Sequence, residues 1–187
     1  MNISIPYNPN TGEIPGFPVV ERRLSQLRDA FDDPQAYQAA LQAGDPLIYR
    51  VTAVEPASGD GQLHYALGII YPGQVGSEYY LTRGHVHAWR TAAEVYLCLS
   101  GEGVMLLEDE SGQCQAAPMT ANSTVYVPGN TAHRTINTGS QPLVYWGIYP
   151  SAAGHDYAFV QQRGFQKIVV EIDGKPTVIQ RSDYQKP

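Results

Sequence analysis

The stretch Gly84-His85-Val86-His87, with Ala93-Glu94-Val95-Tyr96 six residues further on, decides how the rest of the chain is read. In an extended strand successive side chains alternate faces, so His85 and His87 project to one side and Val86 to the other. Trp89 to Ala93 can form a turn, and Glu94 can open the next strand facing back to the same place. A fourth donor, His133, follows the run Val125-Tyr126-Val127-Pro128-Gly129. A single histidine is more often a structural residue than a ligand. Here three of the five histidines fall in one pattern and two share a strand face. Three imidazoles and one carboxylate suit Fe(II), Mn(II), Co(II), Ni(II) or Zn(II), with coordination positions left for substrate or water.

Outward from that stretch, the chain from Pro46 onward is a series of short β-branched and aromatic runs. These are Leu47–Val54, Leu63–Tyr71, Glu78–Thr82, Glu94–Leu99, Val104–Glu108, Ser123–Val127, Thr135–Asn137, Leu143–Tyr149 and Lys167–Glu171. Turn signals separate them: Gly59-Asp60-Gly61, Gly101-Glu102-Gly103, Ser111-Gly112, Pro128-Gly129, Thr138-Gly139 and Asp173-Gly174. Strands at this spacing predict an all-β sandwich or barrel. Upstream, residues 1–20 are rich in Pro, Asn and Gly and read as an extended arm. Leu24, Leu27 and Phe31 stand at helical spacing, and Asp33-Pro34 reads as an N-cap followed by a first-turn proline. A helix through Tyr37, Ala40 and Leu41 should stop at Gly44. The chain thus divides into an arm with short helices over 1–45, packing on a barrel domain over 46–187, within one structural domain.

The whole-chain numbers limit the function classes. At 187 residues the chain can bury a core without disulfides or a structural metal. Lys plus Arg number 12 and Asp plus Glu 18, a net charge of -6 with no basic stretch, which argues against nucleic acid. Apolar runs are far shorter than a membrane span requires, and Met1-Asn2-Ile3-Ser4-Ile5-Pro6 does not read as a secretory signal. The two cysteines, Cys98 and Cys114, read as reduced thiols of a cytoplasmic protein. Tyr outnumbers Phe by 13 to 4, which suits a wet interior where a ring packs and its hydroxyl stays bonded. Arg22-Arg23 reads as a solvated or partner-facing pair.

His-x-His with a following Glu, then Gly101, Pro128, His133 and Asn137, resembles the two cupin motifs. Asn122 and Asn130 stand where Gly is common there, and Asn is the best substitute at a left-handed turn. Thr82-Arg83-Gly84-His85-Val86-His87, Ala93-Glu94-Val95-Tyr96, Tyr126-Val127-Pro128, Ala132-His133-Arg134-Thr135-Ile136-Asn137-Thr138-Gly139 and Tyr149-Pro150-Ser151-Ala152-Ala153-Gly154-His155-Asp156-Tyr157 closely resemble the cupin-type phosphoglucose isomerases. The similarity runs from about Tyr49 to Gly174, and the Gly154-His155-Asp156-Tyr157 block lies outside the generic cupin motifs. The resemblance implies a cupin fold, a double-stranded β-helix or jelly-roll barrel, with an N-terminal helical extension. It implies one divalent metal per subunit, Fe(II) first, held by His85, His87, Glu94 and His133. It implies Tyr49, Thr82, Gly84 and Tyr149 as binding residues for substrate and phosphate, and Glu94, Tyr96, His155 and Tyr157 as catalytic residues. It further implies a homodimer that interconverts glucose 6-phosphate and fructose 6-phosphate in glycolysis and gluconeogenesis. Strand alternation agrees in placing Tyr96 and Cys98 on the face of Glu94, and Tyr145, Gly147 and Tyr149 on one face of theirs. Gly68 or Ile69, where Thr is often found, and Tyr145, where Phe is common, depart from relatives.

Because the protein is acidic, local donors must bind a sugar phosphate: the Thr82 hydroxyl, tyrosine hydroxyls and the backbone N–H at Gly84. Isomerisation moves a hydrogen between C1 and C2, either through a cis-enediol with Glu94 as base or by a metal-assisted hydride shift. A cupin metal-dependent dioxygenase and a non-catalytic sugar-phosphate-binding cupin are the competing readings. An oxygenase would favour an apolar lumen, and a binding cupin commonly lacks one of the ligands.

Overall fold

The computed structural model describes residues 4–8, 10, 11 and 13–184; Pro9 and the first three residues of the expected arm lie outside them, as do the last three of the barrel. The described chain is dominated by strands, as expected. They are β1 (Val19–Arg23), β2 (Leu47–Val54), β3 (Leu63–Ile70), β4 (Gln74–Val75), β5 (Glu78–Tyr79), β6 (Glu94–Ser100), β7 (Glu102–Asp109), β8 (Cys114–Thr120), β9 (Thr124–Val127), β10 (Thr131–Asn137), β11 (Leu143–Pro150), β12 (Lys167–Ile172) and β13 (Lys175–Gln180). Two helices, α1 (Pro34–Ala43) and α2 (Ala158–Arg163), accompany them. No helix among the described residues is long and apolar enough to cross a membrane.

The strands form three antiparallel sheets, ordered β1-β2-β3-β11-β6-β9, β10-β7-β8 and β13-β12-β5-β4. One apolar core unites them, drawing Tyr49, Tyr96, Cys98 and Tyr145 from the largest sheet and Met105, Leu106, Met119 and Ile136 from the three-stranded one. Gly101, in the left-handed region at φ 83°, carries the chain from β6 in one sheet to β7 in the other, so the Gly101-Glu102-Gly103 turn is a corner between sheets. Asn122 and Asn130 adopt φ of 68° and 59°, the left-handed positions expected for them.

The segment read as helical around Leu24, Leu27 and Phe31 is a correction. Val19–Arg23 is a strand, paired with β2 through Val20↔Val51 and Arg22↔Tyr49. Two three-residue 3-10 turns follow, Leu24–Gln26 and Arg28–Ala30. Leu24, Leu27 and Ala30 are all buried, and their spacing of three is the 3-10 period. Apolar spacing of three serves both kinds of turn, and cross-strand pairing with β2 overrides local helical preference. Helix α1 follows expectation: Asp33 Oδ1 accepts from Gln35 N and Ala36 N at 2.9 Å each, Pro34 opens the helix and Gly44 ends it. Strands β8 and β13 and helix α2 have no counterpart among the expected elements. β8 contains Pro118 and is mostly exposed, so it lacks the apolar alternation that marks a half-buried strand.

Candidate active site

The residues around Gly84 do not form a regular ladder. After β5, the strand pairing of the chain is reduced to isolated bridges, Leu81↔Ile136, His85↔His133 and Val86↔Asp156. The expected strand through Thr82 is therefore shortened, because Gly84 turns the backbone at φ 79°. A Cβ there would lie 3.0 Å from the Phe165 ring and 3.1 Å from the His133 carbonyl, so only glycine fits without a shift. The pairing beyond it fixes the histidines. His85 N donates to His133 O at 3.1 Å and His133 N to His85 O at 2.9 Å, which brings their rings edge to face with centroids 4.3 Å apart. His87 returns to the same side, as alternation requires, and its Nδ1 lies 3.0 Å from the carbonyl of Ala92 in the intervening turn. Glu94 opens β6 opposite Val127.

His85, His87, Glu94 and His133 thus each bring one donor atom to a common place, all within 4.8 Å of one another. The Nε2 atoms of all three histidines and Oε2 of Glu94 are buried without a hydrogen-bond partner. Nε2 of His87 and of His133 come within 3.2 and 3.1 Å of that oxygen, but not in hydrogen-bonding alignment. Four convergent buried polar atoms without partners are costly in a folded protein unless something binds them. A divalent cation satisfies all four, and the donor set fits one. Burial, followed by the neighbouring His133, holds His85 well below the usual histidine range, leaving the neutral imidazole a metal requires. Burial pushes Glu94 upward, but His133 and His87 outweigh it and hold the carboxyl at about 2.

The cluster forms one part of the wall of a cavity of about 330 Å³. Tyr96, two residues after Glu94 on β6, shares its face, and its ring lies 5.7 Å from that of His133. Gly147 of β11 stands opposite, where a Cβ would lie 2.6 Å from Glu94 Oε1. His155 packs 4.4 Å from His85, Tyr157 stacks on His155 at 5.8 Å, and Tyr149 lies 5.8 Å from His155. This segment is held by Asp156. Its backbone exchanges hydrogen bonds with Val86, and its carboxylate meets Arg90 at 2.6 Å, so Asp156 orients the chain and not the His155 ring. Tyr49, Thr82 and Gly84 line the same cavity, and Thr82 Oγ1 accepts from Thr135 N at 3.1 Å. The candidate metal-binding residues and the residues expected to bind and turn over substrate therefore lie around one cavity.

Three charged cavity residues escaped the sequence reading, Arg22, Arg83 and Glu55. Arg22 is half-buried and lines the cavity instead of standing in solvent, and Arg83 lines it as well. Burial raises the Tyr49 hydroxyl, while the Arg22 guanidinium pulls it down. The pairing Arg22↔Tyr49 is the cause, and it could not be read from residues assigned to a helix. The arginine beside Gly84 was within the quoted motif and could have been singled out as the cation nearest it.

The fold and the site together define a cupin with a pocket able to hold one metal ion. Among solved structures, oxalate oxidase with the substrate analogue glycolate superposes with a TM-score of 0.50 at 16% identity, over 60% of this chain and 56% of that one, a likeness that speaks for the fold alone. The sequence profile of the family described as glucose-6-phosphate isomerase matches residues 21–186. The glucose-6-phosphate isomerase of Pyrococcus abyssi is 44% identical over 170 residues, covering 91% of this chain and 90% of that protein. That of Thermococcus kodakarensis is 43% identical over 177 residues, covering 95% and 93%. The chain belongs to the glucose-6-phosphate isomerase family, in its cupin form.

Proposed function

We propose that this protein catalyses the reversible, metal-dependent isomerisation of glucose 6-phosphate and fructose 6-phosphate. One observation carries the reading: a buried cluster of three imidazoles and a carboxylate shares a cavity with two arginines, Arg22 and Arg83, and with the further carboxylate of Glu55. A sugar phosphate has the matching polarity, a reacting carbonyl at one end and a dianion at the other. In this reading His85, His87, Glu94 and His133 hold one divalent ion, Fe(II) first and otherwise Mn(II), Ni(II), Co(II) or Zn(II), which the nitrogen and carboxylate donors suit. The bound ion would supply Lewis-acid polarisation of the sugar carbonyl. Tyr49, Thr82, the Gly84 backbone and Tyr149 take the phosphate and the adjoining hydroxyls, and Arg22 and Arg83 supply the positive charge the acidic chain otherwise lacks. Glu94 and Tyr96 border the reacting carbons. His155 and Tyr157 close the site from the far side, placed for ring opening and for orienting hydroxyls.

The same reading makes the protein a cytoplasmic homodimer serving glycolysis and gluconeogenesis. Two observations support it. Both cysteines are free and buried, as a reducing compartment allows. Val95, Tyr126 and Ile148 are adjacent across β9, β6 and β11 and 38%, 62% and 37% exposed, an apolar stripe suited to a second copy.

The test is conversion of fructose 6-phosphate to glucose 6-phosphate by chelator-stripped protein, before and after each metal is restored. Activity that vanishes on stripping and returns with a metal is expected. A protein that binds metal but never isomerises would move the function to an oxygenase or a sugar-binding role.

A further inference from the structure

Gly68 of β3 and Tyr145 of β11 are direct cross-strand partners, and both line the cavity. A Cβ on residue 68 would lie 2.4 Å from Cζ and 2.6 Å from the hydroxyl oxygen of Tyr145. The phenol therefore occupies the space that a side chain at position 68 would fill. Nothing at the far end of a flexible chain could yield there, because the colliding atoms belong to a packed aromatic ring. Tyr145 is 6% exposed, and Tyr96 packs at 5.3 Å against its ring. A packed, buried ring of this kind holds its hydroxyl in one place, which is the condition for a specific donor.

The position of that hydroxyl follows from the strand register. The phenol lies over Gly68, whose partner on β2 is Val51, and Tyr49 stands two residues before Val51 on the same face of β2. Tyr49 in turn pairs with Arg22 of β1. Tyr145, Tyr49 and Thr82 line one cavity with Arg22 and Arg83. A phenol carries one O–H proton, which an anionic phosphate oxygen can accept.

We infer that the Tyr145 hydroxyl donates directly to the phosphate of the sugar phosphate, and that Gly68 is the gap that seats it. The inference rests on the proposed isomerase reading and deepens it by adding a specificity-determining residue to the phosphate end.

The test uses full-length, metal-loaded protein. Y145F removes only the hydroxyl and keeps the ring. Loss of one hydrogen bond to a charged group corresponds to about tenfold or more in affinity. The KM for fructose 6-phosphate is expected to rise by about that factor with kcat little changed. Binding of inorganic phosphate, followed by calorimetry, is expected to weaken by the same factor, while inhibition by the uncharged polyol sorbitol stays constant. An unchanged phosphate affinity in Y145F, or a loss confined to sorbitol, overturns the assignment. G68A should displace the ring and give the same defect, with G68A/Y145F no worse than the more impaired single variant; additive defects overturn the pairing. Calorimetry needs no turnover, so the ratio of wild-type to Y145F phosphate affinity tests this inference even where the wild-type protein fails to isomerise.

Discussion

Gly147 shows how much a site owes to a residue with no functional group. Its α-carbon faces Glu94 so closely that a methyl group would sit 2.6 Å from Oε1. That oxygen belongs to a buried carboxylate with little freedom to move, since Tyr96 and the histidines pack around it. G147A is therefore expected to push the Glu94 carboxylate out of the common donor position while leaving the barrel folded. Titration of Mn(II) or Co(II) into the stripped variant should show an affinity at least about tenfold lower than wild type, the range seen when groups that orient ligands are altered. Unchanged affinity, with an unchanged circular dichroism spectrum, would mean that Glu94 does not need the position the structure gives it.

Among the elements, the segment between β11 and α2 reaches the site from outside any strand or helix. His155 and Tyr157 reach the site from a loop, and that loop is tied down by the Asp156–Arg90 pair and by the Val86↔Asp156 bridge. The pair is about one-third exposed on both sides, so solvent screens it and its contribution to global stability is small. Its contribution to positioning is separate. D156N keeps the backbone bridge and the side-chain oxygen that accepts from Phe159 N, and it removes only the charge facing Arg90. The expected outcome is a kcat lowered about fivefold or more, with metal content retained and the melting temperature shifted by no more than a few degrees. Equal activity in D156N would show that the bridge to Val86 is sufficient by itself.

Over the whole molecule, Glu78 links the smallest strand to the N-terminal extension. Its Oε1 accepts from Asp32 N at 2.8 Å and Asp33 N at 3.1 Å, directly before α1, and it is 1% exposed. Burial, and then the Asp32 carboxylate, push Glu78 up to about 7 against the pull of those two N–H groups and of Arg134. The folded pKa thus lies above the unfolded value, so the folded state binds the extra proton between them. Stability from this group is fully present below about pH 4.5 and is lost as pH rises toward 7. E78Q cannot ionise, and it should flatten the decline in melting temperature of the stripped protein between pH 5 and 8 relative to wild type. The expected difference is on the order of 2 kcal/mol. Identical profiles for the two proteins would show that Glu78 stays charged in the fold.

The candidate metal-binding set was legible in the sequence because its signals are local. A two-residue period, a short turn and a proline-glycine stop mark His85, His87, Glu94 and His133 as candidates, and the distant pairing of His85 with His133 brings them together. Turn chemistry worked the same way at Asn122, Asn130 and the Asp33 cap, where one residue's backbone preference decides the outcome. The short β-rich runs likewise announced an all-β barrel. Tertiary structure alone decided the register of β1 on β2, and with it that Arg22 enters the cavity and that the segment before it is a strand. It alone decided that Tyr145 lies across Gly68, that Gly147 leaves room for Glu94, and that Asp156 pairs with Arg90. The physical reason is common to all of these. Side-chain alternation is an intrinsic property of a strand, but the neighbour a side chain meets is set by which strands pair and in what register, through contacts between residues far apart in the chain.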